Sequence, residues 1–73
     1  MKRELILRNR LKEARKQKKL SQEELAQMVG VARNTITSIE RYEYTPTAYL
    51  AYLLCAALEW KFEDLFYMEK AED

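Results

Sequence analysis

Histidine is absent from this 73-residue chain. That excludes a His-dependent catalytic triad, an imidazole metal cluster and the residue best suited to a proton switch near neutral pH. Cysteine occurs once, at Cys55, which excludes an internal disulfide and offers no metal-ligand spacing. No basic residue lies near Cys55 in sequence to activate its thiol, so small-residue core packing explains it best. Glycine and proline also occur once each, and no linker, repeat or low-complexity stretch breaks the chain. A single domain over residues 1–73 is expected. The N-terminal apolar run Leu5-Ile6-Leu7 is far too short for a secretory signal or a membrane span, so a cytoplasmic protein with no membrane partner is expected. There is no phosphate loop and no acid pair in a pocket-like context, so no catalytic function is expected and no cofactor or metal is called for.

What is present is concentrated between residues 21 and 40. Ser21 and Glu24 have the spacing of a capping box, in which the hydroxyl accepts from the Glu24 amide and the carboxylate accepts from the Ser21 amide. Leu25, Ala26 and Val29 then recur at helical spacing. Gly30 suits the left-handed position that closes a helix, because it carries no Cβ. A new helix begins within about three residues, so helices at about 22–29 and 33–41 must cross steeply. That is a helix-turn-helix, an arrangement that places its second helix in the major groove of DNA.

The second helix has two unlike sides. On a wheel of roughly 100° per residue, Ile36 and Ile39 share the buried direction. Asn34 and Arg41 point almost directly away, Thr37 and Ser38 flank them, and Arg33 can reach forward from the helix start. This outward set holds no apolar residue and no acid, whereas an ordinary solvated face mixes Glu with Lys. Its members are types that read base edges: Arg toward guanine, Asn toward adenine, Thr and Ser toward several partners.

The net charge of +1 conceals a division. Residues 1–41 hold eleven Lys/Arg against five Asp/Glu, and residues 42–73 hold two against seven. The basic half contains the helix-turn-helix, as phosphate binding requires. The acidic half would face away from DNA and discourage docking backwards. A hydrophobic fraction of 48% beside 34% charged residues is globular in character. A chain of this size buries only ~60% of its unfolded surface, so stability is modest unless it oligomerises.

Ser-Gln-Glu-Glu-Leu-Ala at 21–26, Val-Gly-Val-Ala-Arg-Asn-Thr-Ile at 29–36 and Ile-Glu at 39–40 resemble the Cro/CI-type repressor domain, the XRE family. Thr-Pro-Thr at 45–47, Tyr-Leu-Ala at 49–51 and Glu-Asp-Leu-Phe at 63–66 continue the pattern in order, so the likeness spans roughly residues 9–66. The resemblance implies an all-α, five-helix, lambda-repressor-like domain of prokaryotic or phage origin. It implies a transcriptional repressor that binds double-stranded DNA as a homodimer on a pseudo-palindromic operator, with no small-molecule effector evident. In these terms Arg33, Asn34, Thr37 and Ser38 contact bases, and Thr35 lies near a thymine methyl or a phosphate. Gln22, Arg41, Tyr44, Lys18 and Lys19 contact the DNA backbone, with Gln22 also bracing the second helix. Arg15 and Glu40 form a structural ion pair without a part in recognition.

Three positions depart from that pattern. Ala32 stands where a Ser or Thr cap is usual, a loss of roughly 1 kcal/mol. Tyr42 replaces a common Gly or Asn, and Glu43 replaces a common base. The loop after the second helix therefore either changes conformation or contacts less phosphate.

Elsewhere, a first helix is expected over residues 9–17, burying Leu11 and Ala14. Lys16, Lys18 and Lys19 end it near its negative pole, and Leu20 enters the core. Thr45 and Pro46 have the character of N-cap and N1 of a helix running to about residue 58, since proline has no amide to leave unpaired there. Leu50, Ala51, Leu54, Cys55 and Leu58 can fill the core from that helix. A short helix is expected over residues 62–66. Leu5-Ile6-Leu7 fits either a strand or an extension of the first helix, and residues 67–70 could pair with it in a short antiparallel β-ribbon. Aromatic residues gather in the acidic half, where core and dimer contact explain them better than a ligand pocket or base stacking. Leu53, Ala57, Trp60, Phe62, Phe66 and Tyr67, within residues 49–70, form the expected dimer interface. A different function class, a protein-interaction module such as an antirepressor or antitoxin, would use Leu53, Ala56, Ala57 and the acidic half instead.

Overall fold

The computed structural model describes residues 4–71. Residues 1–3 and 72–73 of the expected domain, with Lys2 and Arg3 of its basic half, lie outside the described residues. The chain runs β1 (Leu5–Asn9), α1 (Leu11–Gln17), α2 (Gln22–Val29), α3 (Arg33–Glu40), α4 (Ala48–Leu58), α5 (Phe62–Leu65) and β2 (Phe66–Lys70). The two strands pair antiparallel, with Leu5 opposite Lys70, Leu7 opposite Met68 and Asn9 opposite Phe66. The five helices and the ribbon joining the two ends of the chain both follow the sequence expectation.

Every helix supplies the core. Leu11, Leu25, Ile36, Ile39, Leu54, Leu58 and Leu65 are fully buried, and Leu7, Leu20, Val31, Leu53, Ala57 and Trp60 pack partly against them. Each fully buried side chain of this size contributes about 1.5–3 kcal/mol against the entropy of ordering it. The five residues expected to face inward from α4 are all buried. Burial pushes the Cys55 thiol pKa up, which disfavours its reactive thiolate. No helix among the described residues is long and apolar enough to cross a membrane.

Three element boundaries depart from expectation. The first helix starts at Leu11 because Asn9 ends β1. The Asn9 side chain accepts from the Leu11 amide at 3.0 Å and donates to the Ile39 carbonyl at 3.0 Å, so a buried amide ties the ribbon to both α1 and α3. The fourth helix is capped by Thr47, whose hydroxyl accepts from the Leu50 amide at 3.2 Å. Thr45 and Pro46 precede the helix. Two threonines could have served, and the one used is the one whose hydroxyl meets a free amide. The fifth helix stops at Leu65, and Phe66 begins β2 opposite Asn9.

Candidate nucleic-acid interface

The interface begins at the cap of α2. The Glu24 amide donates to the Ser21 hydroxyl at 3.0 Å, and the Ser21 amide donates to the Glu24 carboxylate at 2.8 Å. The Ser21 amide, and after it the Ser21 side chain, hold the Glu24 carboxyl below its ordinary range. Gly30 closes the helix at φ 75°, and the Val31 amide returns to the Ala26 carbonyl at 3.0 Å. A Cβ at Gly30 would meet nothing within 4 Å, so glycine is there for its dihedral angle and not for space. Ala32 is already extended, as an N-cap should be, but offers no side-chain bond to α3.

On α3, Ile36 and Ile39 are fully buried and turn the opposite side to solvent. Arg33, Asn34 and Arg41 are exposed, and Thr35, Thr37 and Ser38 are half-buried beside them. Asn34, Thr35 and Ser38 line an open depression with Tyr44. The loop residue Tyr44 is thus brought beside the base-reading set.

A polar network fixes α3 from behind. Arg15 Nε donates to Glu40 Oε2 at 2.7 Å, Nη2 to Oε1 at 3.2 Å, and Nη1 to the Leu20 carbonyl at 2.8 Å. The Arg15 and Glu40 side chains are 10% and 5% exposed, so this pair is shielded from water and not screened like a surface pair. Gln22 Nε2 also donates to Glu40 Oε1 at 3.1 Å. Thr37 Oγ1 then donates to Gln22 Oε1 at 3.1 Å, with the Arg33 carbonyl a second acceptor at 3.3 Å. The sequence expectation paired Arg15 with Glu40 and had Gln22 brace α3, but it did not identify Thr37 as the partner, because the wheel places Thr37 only on the outward side. The signal available was Gln22 at the first position of α2, long enough to span to α3.

The loop after α3 keeps a left-handed step despite its tyrosine. Tyr42 has φ 64°, costing a non-glycine residue about 1–2 kcal/mol. Its hydroxyl donates to the Asn9 carbonyl at 3.4 Å, and the Arg8 guanidinium lies 4.6 Å from its ring centroid. The Glu43 and Tyr44 amides both donate to the Ser38 carbonyl, at 2.9 and 3.3 Å. The conformation is therefore retained, while Glu43 presents an exposed acid beside the site.

Lys18 is paired with Glu59 at the surface and holds that carboxyl below the ordinary range, while Lys19 is exposed. One expected site residue is placed otherwise. Phe66, expected at a dimer interface, is 3% exposed and belongs to the core, because the ribbon register sets it opposite buried Asn9. Phe62 stacks on it at 5.1 Å and meets Tyr52 at 6.0 Å. Leu53, Ala57 and Trp60 are half-buried, and Tyr67 lies under the Arg10 guanidinium at 4.2 Å.

The helix pair closed by Gly30, the polar outer side of α3 and the basic half of the chain that carries them define a DNA-binding helix-turn-helix domain. Residues 11–65 match the family model described as Helix-turn-helix. The chain is 41% identical over 64 residues to the uncharacterized HTH-type transcriptional regulator YgzD of Bacillus subtilis, covering 88% of this chain and 97% of that one. Among solved structures, it is similar to the restriction-modification controller protein C.AhdI from Aeromonas hydrophila. That match has TM-score 0.71 and 33% identity, over 75% of this chain and 83% of that one. The transcriptional regulator VanUg shares the fold at TM-score 0.76 and 15% identity, over 96% and 93% of the two chains. The chain belongs to the XRE-type helix-turn-helix family of DNA-binding transcriptional regulators.

Proposed function

We propose that this protein is a sequence-specific repressor that binds a pseudo-palindromic operator as a homodimer. The carrying observation is the two-sidedness of α3: Ile36 and Ile39 are fully buried, while Arg33 and Asn34 are exposed on a side free of acids. In the major groove Arg33 pairs with guanine and Asn34 with adenine, with Thr37 and Ser38 behind them. Gln22 retains one amide N–H beyond its bond to Glu40, which suits a phosphate at the positive end of α2. Arg41, Tyr44, Thr35 and Lys19 hold the backbone around this point. A short helix reads few base pairs, so two copies with half-sites ~34 Å apart supply the rest. Repression follows from occupancy, because a bound dimer obstructs the DNA it covers.

Selection from a random DNA library at stated salt tests this. A two-fold symmetric sequence is expected, and Arg33→Ala with Asn34→Ala abolishes enrichment while the melting temperature holds. Enrichment of the same sequence by the double variant overturns the assignment. If that variant loses DNA binding but keeps its biological effect, the protein works through a protein partner.

A further inference from the structure

We infer that Thr37 meets its base solely as a hydrogen-bond acceptor and so favours an amino base, adenine or cytosine, over a keto base on the strand it faces. The inference rests on the major-groove placement of α3 and goes on to specify what one position there discriminates.

The argument starts at the buried carboxylate. Glu40 has no proton to give: it accepts from Arg15 through both oxygens. Whatever part of Gln22 faces Glu40 Oε1 at 3.1 Å must therefore donate. The opposite amide orientation would set two acceptors against each other with no hydrogen between them. Nε2 thus faces Glu40, which leaves Oε1 facing Thr37 at 3.1 Å. Oε1 carries no hydrogen, so the Thr37 hydroxyl supplies it. The Arg33 carbonyl, at the longer distance of 3.3 Å, is a weaker acceptor, and a proton turned toward it still points away from the base. In either position a base edge meets lone pairs alone.

The groove chemistry then divides the bases. Adenine N6 and cytosine N4 carry donor hydrogens, whereas guanine O6 and N7 and thymine O4 are acceptors. An oxygen whose proton is committed bonds the first pair and repels the second. A hydroxyl free to rotate would bond all four, accepting from the amino bases and donating to the keto bases. The ion pair thereby acts on recognition through Gln22, beyond its role in holding α1 to α3.

Quantitative library selection at fixed salt, with wild type, Thr37→Ser, Thr37→Val and Gln22→Met, tests the inference. At one position per half-site the wild type should prefer adenine or cytosine by about fivefold or more. Thr37→Ser retains that ratio, and Thr37→Val, of similar shape but without the hydroxyl, levels it. Gln22→Met leaves the proton only the longer bond to the Arg33 carbonyl, so the ratio should fall toward one; full retention would assign the proton to that carbonyl and overturn the relay through Gln22. Replacing the exocyclic amino group of that base by hydrogen should weaken wild-type binding by the same factor, which decides the matter even if a variant fails to fold. A preference for guanine or thymine at the Thr37-dependent position, or no position altered by Thr37→Val, overturns the inference. Absence of any enriched sequence would fail the DNA-binding placement itself.

Discussion

Glu40 shows how one side chain can serve the fold and the site together. Its side chain is 5% exposed and its carboxylate is neutralised by Arg15, whose side chain is 10% exposed. Removing one partner leaves a buried charge unmatched, which is more damaging than the pair is stabilising. Glu40→Ala should therefore cost about 3 kcal/mol, lowering the Tm of a domain this small by on the order of 10–20 °C in a thermal melt. An unchanged Tm would show that water reaches Arg15 freely. Ala32 presents the opposite case, a stabilising group left out. Its backbone already has the extended N-cap conformation, so Ala32→Ser should raise stability by about 1 kcal/mol in urea unfolding. The missing cap was legible from sequence because capping is local chemistry. The left-handed angle at Tyr42 was not, because the groups that hold it are Arg8 and Asn9, on a strand far away along the chain.

Elements divide along the same line. The capping box and Gly30 are local signals, and α2 lies where they place it, at Gln22–Val29. The inward positions of α3 and α4 were also legible, since a helical period identifies a buried stripe without knowledge of its partner. The start of α1 was not, because Asn9 is claimed by pairing with Phe66 near the other end of the chain. The cap of α2 also carries a pH dependence. The Glu24 carboxyl titrates below its unfolded value, so its contribution is complete above about pH 4.3 and is lost as pH falls through the lowered folded-state value. Glu24→Gln keeps an oxygen for the Ser21 amide but removes this titration. Acid unfolding followed by circular dichroism should become shallower in that window. It will not become flat, because Glu59 is lowered by Lys18 and titrates in the same direction. A variant curve parallel to wild type would show that the Glu24 bonds persist in the unfolded ensemble.

At the scale of the whole molecule, polarity and assembly are joined. The basic half carries α3, while the acidic half carries an aromatic surface that stands exposed among the described residues. Tyr49 is 75% exposed, Tyr52 67% and Phe62 41%, with Leu53 and Ala57 half-buried alongside. In the proposed dimer, a second copy seated there would cover these rings. The core position of Phe66 sharpens the choice of test, since truncating it would damage the fold before it touched assembly. Tyr49 and Tyr52 are exposed enough that charging them should change protomer stability by within about 0.5 kcal/mol. Tyr49→Glu with Tyr52→Glu should therefore preserve the Tm while shifting the sedimenting species from dimer to monomer. The same variant should bind one half-site with its base preferences intact and lose the advantage of the full operator. Two outcomes would overturn the dimer: a wild type monomeric at high micromolar concentration with no pairing on DNA, or a double variant that still binds the full operator as tightly. Salt dependence supplies a separate check, because the logarithmic slope of affinity scales as about −0.9 per phosphate neutralised. With the Lys18 charge partly offset by Glu59 and Glu43 exposed in the loop, most of that slope should come from Arg41 and Lys19. Lys18→Ala should change it little, whereas Arg41→Ala should reduce it by about one for each protomer bound.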